Sequence, residues 1–305
     1  MHFGGELWDG YKITFQATYL IMLFSNTLQH ILALSPLLIG IYISYCVLRI
    51  TDLTIEASFV SSSIIFFKVT EKYNNPYLAL VIVILCCMIL GIIASYIQRK
   101  NHVESLTTGI LMIFMSYSMN LHILGKSNIT THKKGIINVF KNISDDYGYL
   151  LFSISFALIA IVLFSCVFRS SFGSRLAEYA MNTERDKNLS IEKYRYYGLM
   201  MSNTMGGLSG IIMAETLGLS DINMGLGITL LSISSLLVGR RIYRRIVSTV
   251  IVCHEGILSP FIGLSLYFCT MNILLYYDVN PMYFKLFLAI ALIIILTSHK
   301  SKTIK

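Results

Sequence analysis

Asp52 and Glu56 stand four residues apart in the segment RITDLTIEASF (residues 49–59), between two of the most apolar stretches of the chain, with Thr54 and Ser58 interleaved. An acid in hydrocarbon costs roughly 2.5–3.5 kcal/mol at a helix centre, so these side chains need partners or a wet path. Helical spacing puts both acids on one face, with Arg49 one turn behind Asp52. Carboxylates so placed can attract a cationic or amine-bearing solute, pass protons, or pin a half-helix through Arg49 and exposed amides. Broken backbone in a membrane is tolerated only where it lines a cavity or is buried in protein. Pathway lining and pinning of a helix break both stay open on the residues alone.

Other constellations fall away on their spacing. LGKS (124–127) looks like part of a phosphate loop, but Asn120 stands where the motif needs glycine, and the segment ends an apolar run rather than a strand. His102, His122 and His254 are scattered without metal-ligand spacing, so no metal site and no catalytic set is expected. Ser209 in GGLSG (206–210) superficially resembles a nucleophile elbow, yet its flanks read as a spanning helix, so the small residues are expected to pack helices. The six cysteines all lie in apolar segments without CxxC spacing and read as small core hydrophobes.

The elements that position Asp52 and Glu56 belong to a membrane. The 305 residues are 55% hydrophobic and 13% charged, with mean hydropathy +0.68, against about 25% charged in soluble domains. Windows long enough to span lie at 13–34, 31–48, 76–97, 104–124, 147–168, 196–217, 246–276 (broken in the middle) and 281–297, with weaker segments at 54–69 and 223–238. The expected fold is all-α: one polytopic membrane domain over 1–305, about eight to ten transmembrane helices, with broken or re-entrant segments near 50–69 and 221–239. DLTIEASF (52–59) and DINMGLGI (221–228) each set an Asp with small or hydroxyl residues at the mouth of an apolar segment, a placement that points to a transporter. Residues 1–12 carry two acids and one lysine and read as an uncleaved start.

The net charge of +8 is clustered between spans, which speaks for the positive-inside pattern and against nucleic acid. The stretch 168–198, GRRIYRR (239–245) and the tail are expected to share the cytoplasmic side, and 125–146 to lie outside. The 168–198 stretch alternates basic and acidic residues like a solvated short helix flanked by turns. Phe172, Tyr179, Tyr194, Tyr196 and Tyr197 within it suit docking on a soluble partner.

VLRITDLTIEASF resembles the F-R-x-x-x-x-D-L-T-x-x-G-S-F signature of permease subunits from bacterial ATP-binding-cassette importers of the branched-chain amino acid/ribose permease superfamily, in the branch that includes tryptophan- and tyrosine-type importers. MNLHILGKSNI (119–129) resembles that branch's x-N-x-x-I-M-G-R-x-N-I stretch, and LGLSDINMGLGITLLSISSLLVG (217–239) its G-F-x-D-x-S-M-G-x-G segment. The resemblance runs in order over about 35–298, with 1–34 an extension or diverged first span. The sequence departs at Ala57, where the family has glycine, at Glu178-Tyr179-Ala180, where it has Gly-Asp-Asn, and at Tyr267-Phe268, where it has Tyr-Arg.

The resemblance implies a subunit of the bacterial cytoplasmic (inner) membrane that pairs with a second permease copy as a homodimer. It docks a cytosolic ATPase dimer that binds the ATP, receives solute from an extracytoplasmic binding protein, and carries no cofactor of its own. The solute pathway would be lined by Asp52, Thr54, Glu56, Ser58, Asn120, Asp221 and Asn223. Residues 168–198 would be the cytoplasmic coupling loop, with Arg175, Glu178, Tyr179, Glu184, Arg185 and Lys187 facing the ATPase; Arg175, Arg185 and Ser202-Asn203 fall on matching positions. An amino acid is the expected solute. The alternative is a proton-coupled secondary transporter using Asp52 and Glu56.

Overall fold

The computed structural model describes residues 24–100, 103–130, 135–144, 147–182, 189–247, 252–277 and 279–280, with positions 283, 286, 289 and 290. Five helices are long and apolar enough to cross a membrane: α1 (Phe24–Val47), α3 (Pro76–Lys100), α4 (Ser105–Leu124), α6 (Gly148–Arg169) and α10 (Val252–Tyr276). Around them come α2 (Thr54–Tyr73), the strand β1 (Asn128–Thr130), α5 (Ile137–Lys141), α7 (Ser171–Asn182), α8 (Leu189–Leu217), β2 (Leu219–Asp221) and α9 (Ile228–Ile246). The protein is an all-α polytopic membrane protein, with β1 and β2 forming a three-residue antiparallel ribbon in which Asn128 faces Asp221.

Punctuation in the sequence sets the element ends. Asn74 closes α2 in the left-handed conformation (φ 51°). Asn75 Oδ1 then accepts the Tyr77 and Leu78 amides at 3.1 Å, and Pro76 opens α3, where its missing N–H costs nothing. The glycine of LGKS ends α4 at φ 68°, its amide donating to the Leu121 carbonyl. Tyr42–Val47, the last turn of α1, is wound as a π-helix. It leads into a non-helical stretch at 48–53, where Arg49 has φ 58°.

The expected breaks are therefore narrower than the windows that announced them. Residues 54–69 form unbroken helix, and the interruption lies just before them. The second interruption covers 218–227, after which α9 runs straight through GRRIYRR. Those four arginines are helical rather than a loop, because Arg240 and Arg244 share one face and meet an acid, described below. The window 246–276 is likewise continuous through Pro260 once α10 begins, and α9 ends at Val247 in extended conformation. Residues 1–23 and most of 281–297 are outside the described residues.

α2 is buried on every side, as a helix without a single polar or apolar stripe must be. α8 lies against it through Gly206, Gly207 and Gly210. A methyl group on Gly210 would overlap the Phe59 carbonyl and the Ser62 hydroxyl, and one on Gly207 would meet Cys87 of α3. GGLSG is thus a helix contact surface, and the Ser209 hydroxyl donates to the Ala33 carbonyl of α1 at 2.7 Å. α9 and α10 cross by the same device used twice: Gly239 sits on the Ser259 carbonyl and Gly263 on the Ser235 carbonyl. Gly263→Ala should cost about 2 kcal/mol by overpacking, read as a lower unfolding midpoint of the solubilised protein; an unchanged midpoint would show that this crossing has room to spare.

The outward faces of α3, α4, α6 and α10 expose large apolar side chains such as Val81, Leu85, Phe114, Val162 and Leu266, the surface that lipid covers. Cys166 and Cys269 lie on such faces, so the reading of all cysteines as core holds for Cys87 but not for them.

Candidate functional site

Asp52 lies two residues before α2 rather than within it. Its Oδ1 accepts the Thr54 amide at 2.9 Å and the Thr54 hydroxyl at 2.5 Å, so it caps the helix that it precedes. Its Oδ2 accepts Asn203 Nδ2 of α8 at 3.1 Å. The Asn203 side chain is bonded at both ends: Nδ2 also donates to the Leu199 carbonyl, and Oδ1 accepts from Ser58 at 2.7 Å and lies 3.1 Å from the Thr54 hydroxyl. Asp52, Thr54, Ser58 and Asn203 are all essentially inaccessible. Four hydrogen-bonding groups thus meet at one buried point between α2 and α8, and Arg195 lies two turns before Asn203 on α8. Arg195 is itself held by Gln98 of α3.

The expected shared face of Asp52 and Glu56 does not form. The helix begins between them, so four-residue spacing does not apply, and Asp52 takes Asn203 and Thr54 as partners instead of Arg49. Glu56 points toward α9, where its Oε1 accepts the Gly227 amide at 3.3 Å. Gly227, at φ 78°, is the residue before α9, so this carboxylate sits at a positive helix end.

Of the other residues expected to line a pathway, Asn120 holds another side of α2 and Asp221 and Asn223 shape the turn after the ribbon. Asn120 of α4 is buried and donates to Ser61 at 3.1 Å. Asp221 Oδ1 accepts the Asn223 amide at 2.7 Å, turning the chain out of the ribbon. Ser220 meets Ser63 at 2.6 Å, and Ile222 donates to the Ser127 carbonyl. From there the chain descends along α2: Gly225 lies on Val60 and the Glu56 stem, and Gly227 on the Glu56 carboxylate. Seven residues of α2 separate Ser63 from Glu56, about 10 Å of helix. α9 therefore starts about two turns along α2 from the ribbon, with Thr229 buried and Leu226 and Leu230 exposed beside it.

On the other side of the fold, the 168–198 stretch is mostly helix, the end of α6, all of α7 and the start of α8. Phe172 packs on Tyr194 and Tyr197 with ring centroids 5.5 and 5.7 Å apart, so these rings fasten α7 to α8, while Tyr197 stays exposed. Arg175 is exposed and donates to the Tyr194 hydroxyl at 3.2 Å, and Glu178 is exposed. Tyr179 belongs to α7, whereas Glu184, Arg185 and Lys187 lie outside the described residues.

Two buried acids escaped the reading of the sequence. Glu255 of α10 accepts Arg240 Nε at 2.9 Å and Arg244 Nε at 2.7 Å, and the Tyr42 hydroxyl stands 3.4 Å away. Arg240 also reaches Cys46, one turn on in the π-helical segment. An intramembrane acid predicts a cationic partner, and the arginine cluster fifteen residues earlier was the available signal. Glu215, near the end of α8, accepts the Ile137 amide at 2.8 Å and closes the start of α5.

Against known proteins, the chain matches the family described as branched-chain amino acid transport system, permease component, over residues 23–296. It is 33% identical over 277 residues to an uncharacterized protein of Rickettsia prowazekii, covering 90% of this chain and 97% of that one. It is 32% identical over 218 residues to a tyrosine transport system permease protein of Clostridioides difficile, covering 70% of this chain and 72% of that one. No solved structure matches it.

Proposed function

The chain belongs to the branched-chain amino acid transport permease family, an ATP-binding-cassette transport permease with several membrane passes, and on that premise we propose that it imports an amino acid across the bacterial cytoplasmic membrane by alternating access. The observation that supports the transport reading is the interruption at 218–227, after which α9 starts partway along α2 with Glu56 at its N-terminal end. Helices interrupted within a membrane protein, with carboxylates and free helix ends facing each other, are the usual furniture of solute sites near the bilayer midplane. The tyrosine transport permease among its relatives supports an amino-acid solute.

As one transmembrane unit, the subunit works with a second copy of itself, a cytosolic ATPase dimer that binds and hydrolyses ATP, and an extracytoplasmic binding protein. It performs no bond chemistry and holds no cofactor. α7, with Arg175 and Glu178 exposed, is the element offered to the ATPase, with Glu184, Arg185 and Lys187 following it in sequence. Asp52, Thr54, Ser58 and Asn120 shape the path by fixing α2, whereas Glu56, Asp221 and Asn223 border it.

Reconstitution of the permease with its ATPase and binding protein in liposomes tests this. Solute-stimulated ATP hydrolysis and uptake that persists with an uncoupler are expected; uptake abolished by the uncoupler would favour proton coupling through Asp52 and Glu56. Glu56→Ala should lower uptake more than it lowers assembly of the complex, and equal loss of both would assign Glu56 a purely structural role.

A further inference from the structure

We infer that the arginine-rich end of α9 is a headgroup site for an anionic phospholipid. Arg244 and Arg245 take the phosphate, and the apolar face that leads to them lies along the acyl chains.

The core side of α9 is built from Thr229, Ser232, Ser235, Leu236, Gly239 and Tyr243, all buried. Helical spacing then turns Leu230, Leu237, Arg241, Arg244 and Arg245 outward. Leu230 is 64% exposed, Leu237 is half-buried, and Arg244 and Arg245 are exposed. The outer face of the helix thus passes from apolar at its start to cationic at its end, as in a helix whose terminus lies at headgroup level. Arg240 reaches Cys46 in the π-wound end of α1, and α7 packs against that same segment. The arginines therefore share a side with α7, the side expected to be cytoplasmic, where anionic lipids give the leaflet a negative surface potential.

Charge at this end does not balance. Even leaving Arg241 aside, Arg240, Arg244 and Arg245 meet one carboxylate, Glu255, which Arg240 and Arg244 already share. The helix C-terminus adds only about half a negative charge, so more than one positive charge is left over. Arg244 gives Nε and Nη2 to Glu255, while its Nη1 and the whole Arg245 side chain have no partner among the described residues. Guanidinium donors bind phosphate oxygens in a fork, and Ile246, 74% exposed beside them, offers acyl chains an apolar neighbour. A second copy meeting this patch across a two-fold axis would oppose it with the same arginines. A phosphodiester carrying acyl chains satisfies both parts of the face.

The test is retention of phosphatidylglycerol and cardiolipin, against phosphatidylcholine, by the full-length permease in mixed micelles, read by native mass spectrometry. The anionic lipids should be retained preferentially. Arg245→Gln, which removes no bond within the described protein, should weaken their retention about fivefold, the equivalent of the roughly 1 kcal/mol that one basic residue gains near an anionic surface. Arg244→Gln should weaken it at least as much, and Arg245→Lys should preserve most of it. Arg169→Gln, an exposed arginine at the end of α6, just before α7, should change nothing.

Equal retention of anionic and zwitterionic lipid, or retention untouched by Arg245→Gln, would overturn the site. The same loss with Arg169→Gln would also overturn it, by reducing the effect to diffuse attraction. Inorganic phosphate should not displace the lipid; if it does, the arginines hold a free anion and the lipid assignment falls. Unchanged lipid retention with weaker assembly on the ATPase in the Arg244→Gln and Arg245→Gln chains would make the patch a protein contact instead.

Discussion

Replacing Glu255 with alanine is expected to destabilise the folded protein by about 3 kcal/mol, because it strands two arginines that share one carboxylate. Glu255 is 2% exposed and joins α10 to α9, with Tyr42 of α1 near its second oxygen. Removing one member of a buried pair costs more than the pair itself contributes, since the orphaned charge keeps its desolvation penalty. Half of the Arg244 side chain reaches the surface, which holds the cost at the lower end of the usual range. The measurement is an unfolding titration of the solubilised protein. Adding Arg240→Met to the Glu255→Ala chain should recover a good part of the loss. If it recovers nothing, the loss came from packing around the carboxyl group and not from charge.

Asp52→Ala is expected to cost a similar amount, about 3 kcal/mol, through two buried donors left without an acceptor at roughly 1–3 kcal/mol each. These are the Thr54 amide, now an uncapped helix end, and Asn203 Nδ2; the third donor, the Thr54 hydroxyl, keeps Asn203 Oδ1 at 3.1 Å. Asp52→Asn keeps an oxygen for Thr54 and should cost less. A double-mutant cycle between Asp52→Ala and Asn203→Ala should return a coupling of about 1–2 kcal/mol; additive losses would mean that Asp52 acts on α2 alone and does not tie it to α8.

The membrane class, the all-helical fold and both interruptions were legible in the sequence, because they depend on local composition: apolar runs of spanning length, and Asp with small residues at their mouths. Family membership was legible in three ordered motifs. What went astray depended on partners distant along the chain. Asp52 and Glu56 were placed on one face by helical spacing, yet Asp-x-Thr is also a helix-start pattern, and the helix starts between them. GRRIYRR read as a loop because arginines interrupt an apolar window; only a facing acid makes them tolerable, and Glu255 is fifteen residues away. The aromatics of α7 and α8 read as a docking surface, and three of them also hold the two helices together, a packing role that sequence alone does not announce. Asn203, the hub of the Asp52 network, stood out only by matching a family position, since one asparagine in an apolar helix has no local signature.

α2 makes a poor piston. Thr54 and Ser58 tie it to α8, Ser61 to α4, Ser63 to the ribbon and Glu56 to the approach to α9, and sliding it by one residue would rotate it by about 100° and shift it by about 1.5 Å, breaking all of these moorings together. These ties suit it to staying fixed while its neighbours move. Any stroke delivered from outside would then have to be taken up by the helices around it, and the π-wound end of α1 is where their winding already departs from the regular helix.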